Sequence, residues 1–96
     1  MLRSGKSLAG TRVILYVAPR AGRTEAGFVV SRRVGGAVVR NRARRIMRAA
    51  WRVVAPSVGG DLDLVFVARE SIQGAKTQDL EAEMRDLLRR VKAVRP

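Results

Sequence analysis

Ser31-Arg32-Arg33-Val34-Gly35-Gly36-Ala37-Val38-Val39-Arg40-Asn41-Arg42-Ala43-Arg44-Arg45-Ile46-Met47-Arg48-Ala49-Ala50-Trp51-Arg52 reads as the end of a strand, a glycine turn and a long helix. On an ideal helix with about 100° per residue, Val39, Ala43, Ile46, Met47, Ala50, Val53 and Val54 fall within about 120°, an apolar stripe that must be buried. Arg40, Arg44, Arg48 and Arg52 recur every four residues beside it, with Asn41 and Arg45 in the same sector and Arg42 on the other flank. Between Glu25 and Asp61 there is no acidic residue, while eight arginines fall between Arg32 and Arg52. Like charges at i,i+4 repel mildly, so this helix calls for negative charge from outside the chain. A polyphosphate backbone supplies it. A solvated charged face is the competing explanation, but solubility alone does not select a stripe without carboxylates.

The turn before the helix adds to this. Gly35-Gly36 permits unusual backbone geometry, and the helix N-terminus behind it presents free N–H groups. Arg32 and Arg33, at the end of the preceding strand, are expected close by. An ordinary strand-to-helix turn explains the glycines. It does not explain arginines on both sides of them.

Working outward, Arg12 to Ala18 is rich in β-branched residues and stops at Pro19. Val13, Leu15 and Val17 point to one side and form the better core set; Arg12, Ile14 and Tyr16 share the other. Tyr16 and Ile14 would then offer a stacking and apolar platform for an unpaired base, flanked by Arg12. Tyr16 could equally cap the edge of the core. A turn over 19–25 leads to a second strand, Ala26 to Arg32, and the arginine helix runs from about Ala37 to Val54. Leu62 to Ala68 is a third strand, nearly continuous in apolar residues and so expected to be buried on both faces. Thr77 to Val94 forms a final helix with Thr77 as N-cap. Its apolar stripe is Leu80, Met84, Leu87, Leu88, Val91 and Val94. Asp79, Glu81, Glu83 and Asp86 in its first half, with Arg89, Arg90, Lys92 and Arg95 at its end, complement the helix dipole. Half of the chain's eight acids sit here, so this helix is expected to be scaffold facing away from a polyanion. Strand, strand, helix, strand, helix gives an α+β fold, a small two-layer sandwich with helices on a central sheet.

At 96 residues the chain is one domain, 1–96, and its 47% hydrophobic content suffices for a single core. The net charge of +12 exceeds what solubility needs. Nucleic acid, an anionic membrane surface and an acidic protein compete as partners for it. No apolar run approaches a spanning helix and no signal peptide opens the chain, so a cytoplasmic location is the default. A helix lying on a membrane surface fails too, because its apolar face is needed to bury the sheet. The absence of Cys and His removes thiol nucleophiles, structural zinc and the usual general base. Seventeen of the twenty basic residues are Arg. Codon bias and bidentate phosphate recognition explain that equally well.

Ser31 to Arg52 resembles the signature of the bacterial ribonuclease P protein component, in which a Ser and two basic residues lead through a Gly turn into an Arg-Asn-Arg helix. Val13 to Pro19 resembles that family's first long strand, Asp63 to Arg69 its strand ending in Ala-Arg, and Leu80 to Val91 its last helix. The resemblance implies a left-handed β-α-β crossover around the arginine helix. It implies a protein that binds the catalytic RNA subunit of ribonuclease P and the 5′ leader of precursor tRNA. The holoenzyme removes that leader by Mg²⁺-dependent hydrolysis, with the chemistry and most of the Mg²⁺ belonging to the RNA. By position, Arg32, Arg33, Gly36, Arg40, Asn41, Arg42, Arg44, Arg45 and Arg48 are the RNA-binding set, and Arg12, Ile14 and Tyr16 the leader-binding set. No catalytic or metal-ligating residue and no obligate protein partner is implied. Ahead of the first strand the family carries a helix with two phenylalanines, of which Met1 to Lys6 resembles only the end. Either the true N-terminus lies upstream of Met1, or the N-terminal helix is truncated and half of the leader cleft with it, a loss expected to tell on leader affinity and to spare RNA-subunit binding. Phe28 and Phe66 are expected in the core instead. The alternatives are a ribosomal or assembly protein using the same basic helix, and a self-sufficient nuclease, which lacks the residues for it.

Overall fold

Alternation along a single strand organises the molecule. In the computed structural model, which describes residues 5–91, β2 (Val13–Pro19) buries Val13, Leu15 and Val17 and leaves Ile14 and Tyr16 half-open. It pairs antiparallel on one side with β1 (Lys6–Ala9) and on the other with β4 (Leu62–Ala68). The sheet closes with β3 (Glu25–Val29), parallel to β4, in the order β1-β2-β4-β3. Between β3 and β4 runs α1 (Ala37–Val54); α2 (Thr77–Arg90) follows β4. The fold is thus the expected α+β layer of helices on one sheet.

Three differences from the sequence expectation have physical causes. First, β1 is a fourth strand that periodicity does not reveal, since Lys-Ser-Leu-Ala is four residues of edge strand with one partner. Lys6 belongs to it rather than to a helix end; Met1 to Ser4 lie outside the described residues. Second, β4 is buried on one face only: Leu64, Phe66 and Ala68 are buried, while Asp63, Val65 and Val67 are half-open. Its nearly continuous apolar run comes from outward-facing valines on a sheet with helices on one side. Third, β3 ends at Val29, and Arg32–Val34 forms a 3-10 turn, so Arg32 and Arg33 sit on a turn and not on a strand.

The core lies between the covered sheet face and the helices. Phe66 is fully buried beneath α1, its ring 5.9 Å from Phe28 and 5.8 Å from Trp51. Ala43, Ile46, Met47, Ala50 and Val54 form the buried stripe of α1; Val53 is 48% exposed, about 100° around the helix from Val54. Leu80, Met84, Leu87 and Leu88 bury α2, as expected, with Val91 partly packed against the core. Val94 lies outside the described residues. The N-cap of α2 is Lys76 rather than Thr77: its N–H donates to Asp79 Oδ2 at 2.9 Å, and Asp79 N–H donates back to Lys76 O.

One acid of α2 holds the β1–β2 turn. Glu83 Oε2 accepts the N–H groups of Arg12 at 2.8 Å and Val13 at 2.9 Å, and Oε1 accepts Arg12 Nη1 at 3.3 Å. A Cβ on Gly10 would lie 2.5 Å from that carboxylate, so a side chain there would displace Glu83 from the turn. Removing the carboxylate leaves two N–H groups unpaired. Glu83→Ala should therefore cost about 2–3 kcal/mol in chemical denaturation, and Glu83→Gln, which keeps one acceptor oxygen, should cost less.

Candidate nucleic-acid interface

The arginine helix has two flanks with different fates. The flank carrying Arg42 faces the loop ahead of α2: Arg42 Nη2 donates to Ala75 O at 2.7 Å, and Gln73 Nε2 donates to Val34 O beside it. Val38, Val39, Arg42 and Ala43 line a groove with Ile72, Gln73 and Gly74 there. On the opposite flank, helical phase groups Arg40, Arg44, Arg48 and Arg52 with Trp51, whose ring packs on Phe66. Arg45, Arg48 and Arg52 are exposed, and Arg40 and Arg44 are half-buried. Arg44 Nη1 donates to Asn41 Oδ1 at 3.3 Å, and the buried Nε of Arg40 has no partner among the described residues. The described ion pairs use Arg12, Arg20, Arg23, Arg85 and Arg90; none uses an arginine between Arg32 and Arg52. Glu25, Asp63, Glu81, Glu83 and Asp86 pair with those other arginines.

The turn into α1 is built for backbone exposure. Gly35 has φ 157°, and a Cβ there would come within 2.9 Å of Val39 Cγ1, so both conformation and packing exclude a side chain. Gly36, the N-cap, is ordinary extended backbone with open space around its Cα and no capping side chain. Of the two glycines, only Gly35 is required by geometry. Gly36 leaves the first N–H groups of α1 uncovered, with Arg32 and Arg33 exposed beside them.

The sheet face on which neither α1 nor α2 packs is the second surface among the described residues. Register places Ile14 beside Val67 and Val29 in one row, and Tyr16 beside Val65 and Gly27 in the next. Arg12 stands one row before Ile14, but its guanidinium is paired to Glu83 and its side chain is 32% exposed. The structure supplies a basic residue in the same row that sequence reading missed. Arg69 donates its N–H to Arg12 O at 2.8 Å and, with Arg33, lines a cavity of about 390 Å³. Ile14, Val34 and Ala68 form its apolar part, and Ser31, Ser71 and Glu70 its remaining wall. Arg69 ends the Ala-Arg strand noted above; only the β2–β4 register reveals which row it joins.

No three His, Cys, Asp or Glu side chains converge as a metal site among the described residues. Nor is any described helix long and apolar enough to cross a membrane. Fold and surface define a small, strongly basic α+β domain that holds an uncompensated cationic helix flank near the sheet face turned away from both helices.

A family model for ribonuclease P matches residues 1–92. The ribonuclease P protein component of Chloroflexus aurantiacus is 47% identical over 90 residues, spanning 91% of this chain and 66% of that protein. That of Shouchella clausii is 32% identical over 98 residues, spanning 100% of this chain and 80% of its own. The chain belongs to the ribonuclease P protein family, whose members are protein components of an RNA-based endoribonuclease. Among solved structures, the RNase P protein of Staphylococcus aureus superposes with TM-score 0.81 at 22% identity, covering 95% of this chain and 84% of that one. The Thermotoga maritima protein gives 0.81 at 22%, covering 92% and 84%. At that identity these two speak to the fold.

Proposed function

We propose that the chain is the protein subunit that binds the catalytic RNA of ribonuclease P and the 5′ leader of precursor tRNA, assisting endonucleolytic removal of the leader. The observation that carries this is the flank of α1 with Arg40, Asn41, Arg44, Arg45 and Arg48, where no arginine pairs with a carboxylate among the described residues. Together with Arg32, Arg33 and the uncovered N–H groups behind Gly36, it offers phosphates charge and directed donors at once. Arg42 contributes charge from the other flank while tied to Ala75 O.

The leader is assigned to the sheet face turned away from both helices. Ile14 and Tyr16 present an apolar and aromatic platform, and unpaired bases stack on such surfaces without sequence preference. Arg69 and Arg33 supply cations at its end, with Arg12 contributing what Glu83 leaves free. Contacts to the leader favour precursor over product, because the cleaved tRNA no longer carries the segment this face holds.

Hydrolysis by the RNA uses Mg²⁺. The protein's part in it is to neutralise and position phosphates.

The test is single-turnover cleavage of a precursor tRNA by the cognate catalytic RNA at a few millimolar Mg²⁺, with and without this chain. Strong stimulation is expected. Tight binding without stimulation would limit the protein to an RNA-binding module. If six to eight arginines meet phosphates, log affinity for the RNA subunit should fall against log salt with a slope of about −4 to −7. A slope near −1 would rule out the extended footprint.

A further inference from the structure

Of the large apolar side chains left exposed among the described residues, Val38 is the most open, at 83% against 48% for Val29 and Val53. It stands in the first turn of α1, at the mouth of the groove between that helix and the loop ahead of α2. The groove holds about 250 Å³. Its floor is Val39, Ala43 and Ile72, and its rim Arg42, Gln73 and Gly74. Two contacts fix the walls: Arg42 Nη2 donates to Ala75 O, and Gln73 Nε2 to Val34 O. Gly74, at φ 81°, turns the far wall with no side chain and open space around its Cα.

What surrounds this apolar groove is cationic. Val38 and Arg45 are seven residues apart, so they share a helical phase to within about 20° and lie about 10 Å apart along the axis. On the other side of Val38 are the first N–H groups of α1 behind Gly36, with Arg32 and Arg33 exposed beside them. None of these arginines pairs with a carboxylate among the described residues. A phosphate chain running from those N–H groups to Arg45 passes over Val38. A phosphodiester gains nothing from an exposed valine, whereas a base turned inward buries it. The volume suits a single planar ring system, since whole small ligands take about 300–1,000 Å³. Arg42, its guanidinium fixed by Ala75 O, supplies a plane on which an unstacked base can lie.

We propose that this groove receives one unpaired base of the catalytic RNA, held against Val38, Val39 and Ile72 and stacked on Arg42. This rests on the RNA-subunit reading under Proposed function and deepens it. The charge of α1 holds RNA of any sequence, and the groove selects an RNA that can turn a base out at this point. Val38 and Arg42 are then specificity-determining residues, whereas Arg45 and Arg48 contact phosphate and supply affinity without preference.

The experiment compares Kd of the full chain for the cognate catalytic RNA with Kd for a fully paired RNA duplex, each across a salt series. Val38→Ala should weaken the catalytic-RNA complex about three- to tenfold, as the loss of part of one base contact. Its salt slope, its duplex affinity and its melting temperature should match wild type, because an exposed valine contacts no phosphate and little of the core. Arg42→Lys keeps the charge and removes the plane, so it should reproduce that pattern. Arg45→Gln, the phosphate control, should weaken both complexes and make both slopes shallower by about 0.9. Probing of base edges with dimethyl sulfate and a carbodiimide should show an unpaired base protected in the wild-type complex and reactive again with Val38→Ala. The proposal is overturned if Val38→Ala binds the catalytic RNA as wild type does, which leaves the groove to another occupant such as a protein side chain. It is also overturned if Val38→Ala weakens both RNAs alike or makes the slope shallower, either of which marks a lost phosphate contact. Wild-type preference separates the two levels. If wild type binds the catalytic RNA no better than the duplex, the reading under Proposed function falls and the groove with it. A strong wild-type preference that Val38→Ala and Arg42→Lys leave intact sinks the groove alone.

Discussion

Arg45→Glu combined with Arg48→Glu should weaken binding to the catalytic RNA subunit by at least about a hundredfold at moderate salt, with the melting temperature nearly unchanged. Both side chains are exposed on the outward face of α1, and neither pairs with a carboxylate among the described residues. Each reversal removes a phosphate contact and adds a repulsive charge, so the two together act on up to four units of charge. The salt slope should become shallower by about 2, close to 0.9 per lost contact. Stability should not follow, because the reversals relieve like-charge spacing with Arg44 and Arg52 on a helix held by its other side. Filter binding across a salt series, with a thermal melt of the free protein, checks both halves. A loss of affinity that tracks a loss of fold would make this face structural.

Phe66→Ala should unfold the domain or bring it close to unfolding. Phe66 is fully buried at the centre of β4, against Phe28 on the neighbouring strand and Trp51 on α1. It joins α1 to the sheet within the buried cluster. Truncating a buried Phe costs about 3–5 kcal/mol, against a total of about 5–15 kcal/mol for a domain. At about 4–8 °C per kcal/mol for a chain of this size, the midpoint should drop by at least about 12 °C. Circular dichroism melts measure it. RNA-subunit binding should be lost in the same variant at temperatures above its new midpoint and retained below it, since Phe66 offers nothing to a ligand. A variant that melts normally would mean that the aromatic contacts add little to the packing of α1.

The two predictions draw on information read at different levels. Arg45 and Arg48 were legible at once, since a 3.6-residue period and the lack of acids between Glu25 and Asp61 separate an apolar face from a cationic one without any tertiary contact. Alternation in Val13 to Val17 likewise named the buried and open faces of β2 correctly. β4 was misjudged for the same local reason. Val65 and Val67 look like core in a list of residues, and only the one-sided stacking of helices leaves them on the open face. Arg32 and Arg33 were near enough in sequence to α1 to be grouped with it, but the 3-10 turn that holds them closes at Gly35, whose N–H donates to Arg32 O and whose φ is 157°.

The sequence by itself determined two amphipathic helices, the strands on either side of them, the cationic flank and the α+β class. Each of these follows from spacing over a few residues, where side-chain direction is dictated by the backbone period. Tertiary structure alone decided which residues stand in one row. It paired β4 between β2 and β3 and so set Arg69 beside Arg12, tied Arg12 to Glu83 across 71 positions, and closed Arg20 over Asp63 and Glu25. Those contacts join segments far apart in the chain. Register and the burial of one sheet face bring them together, and neither leaves a local signature in the sequence.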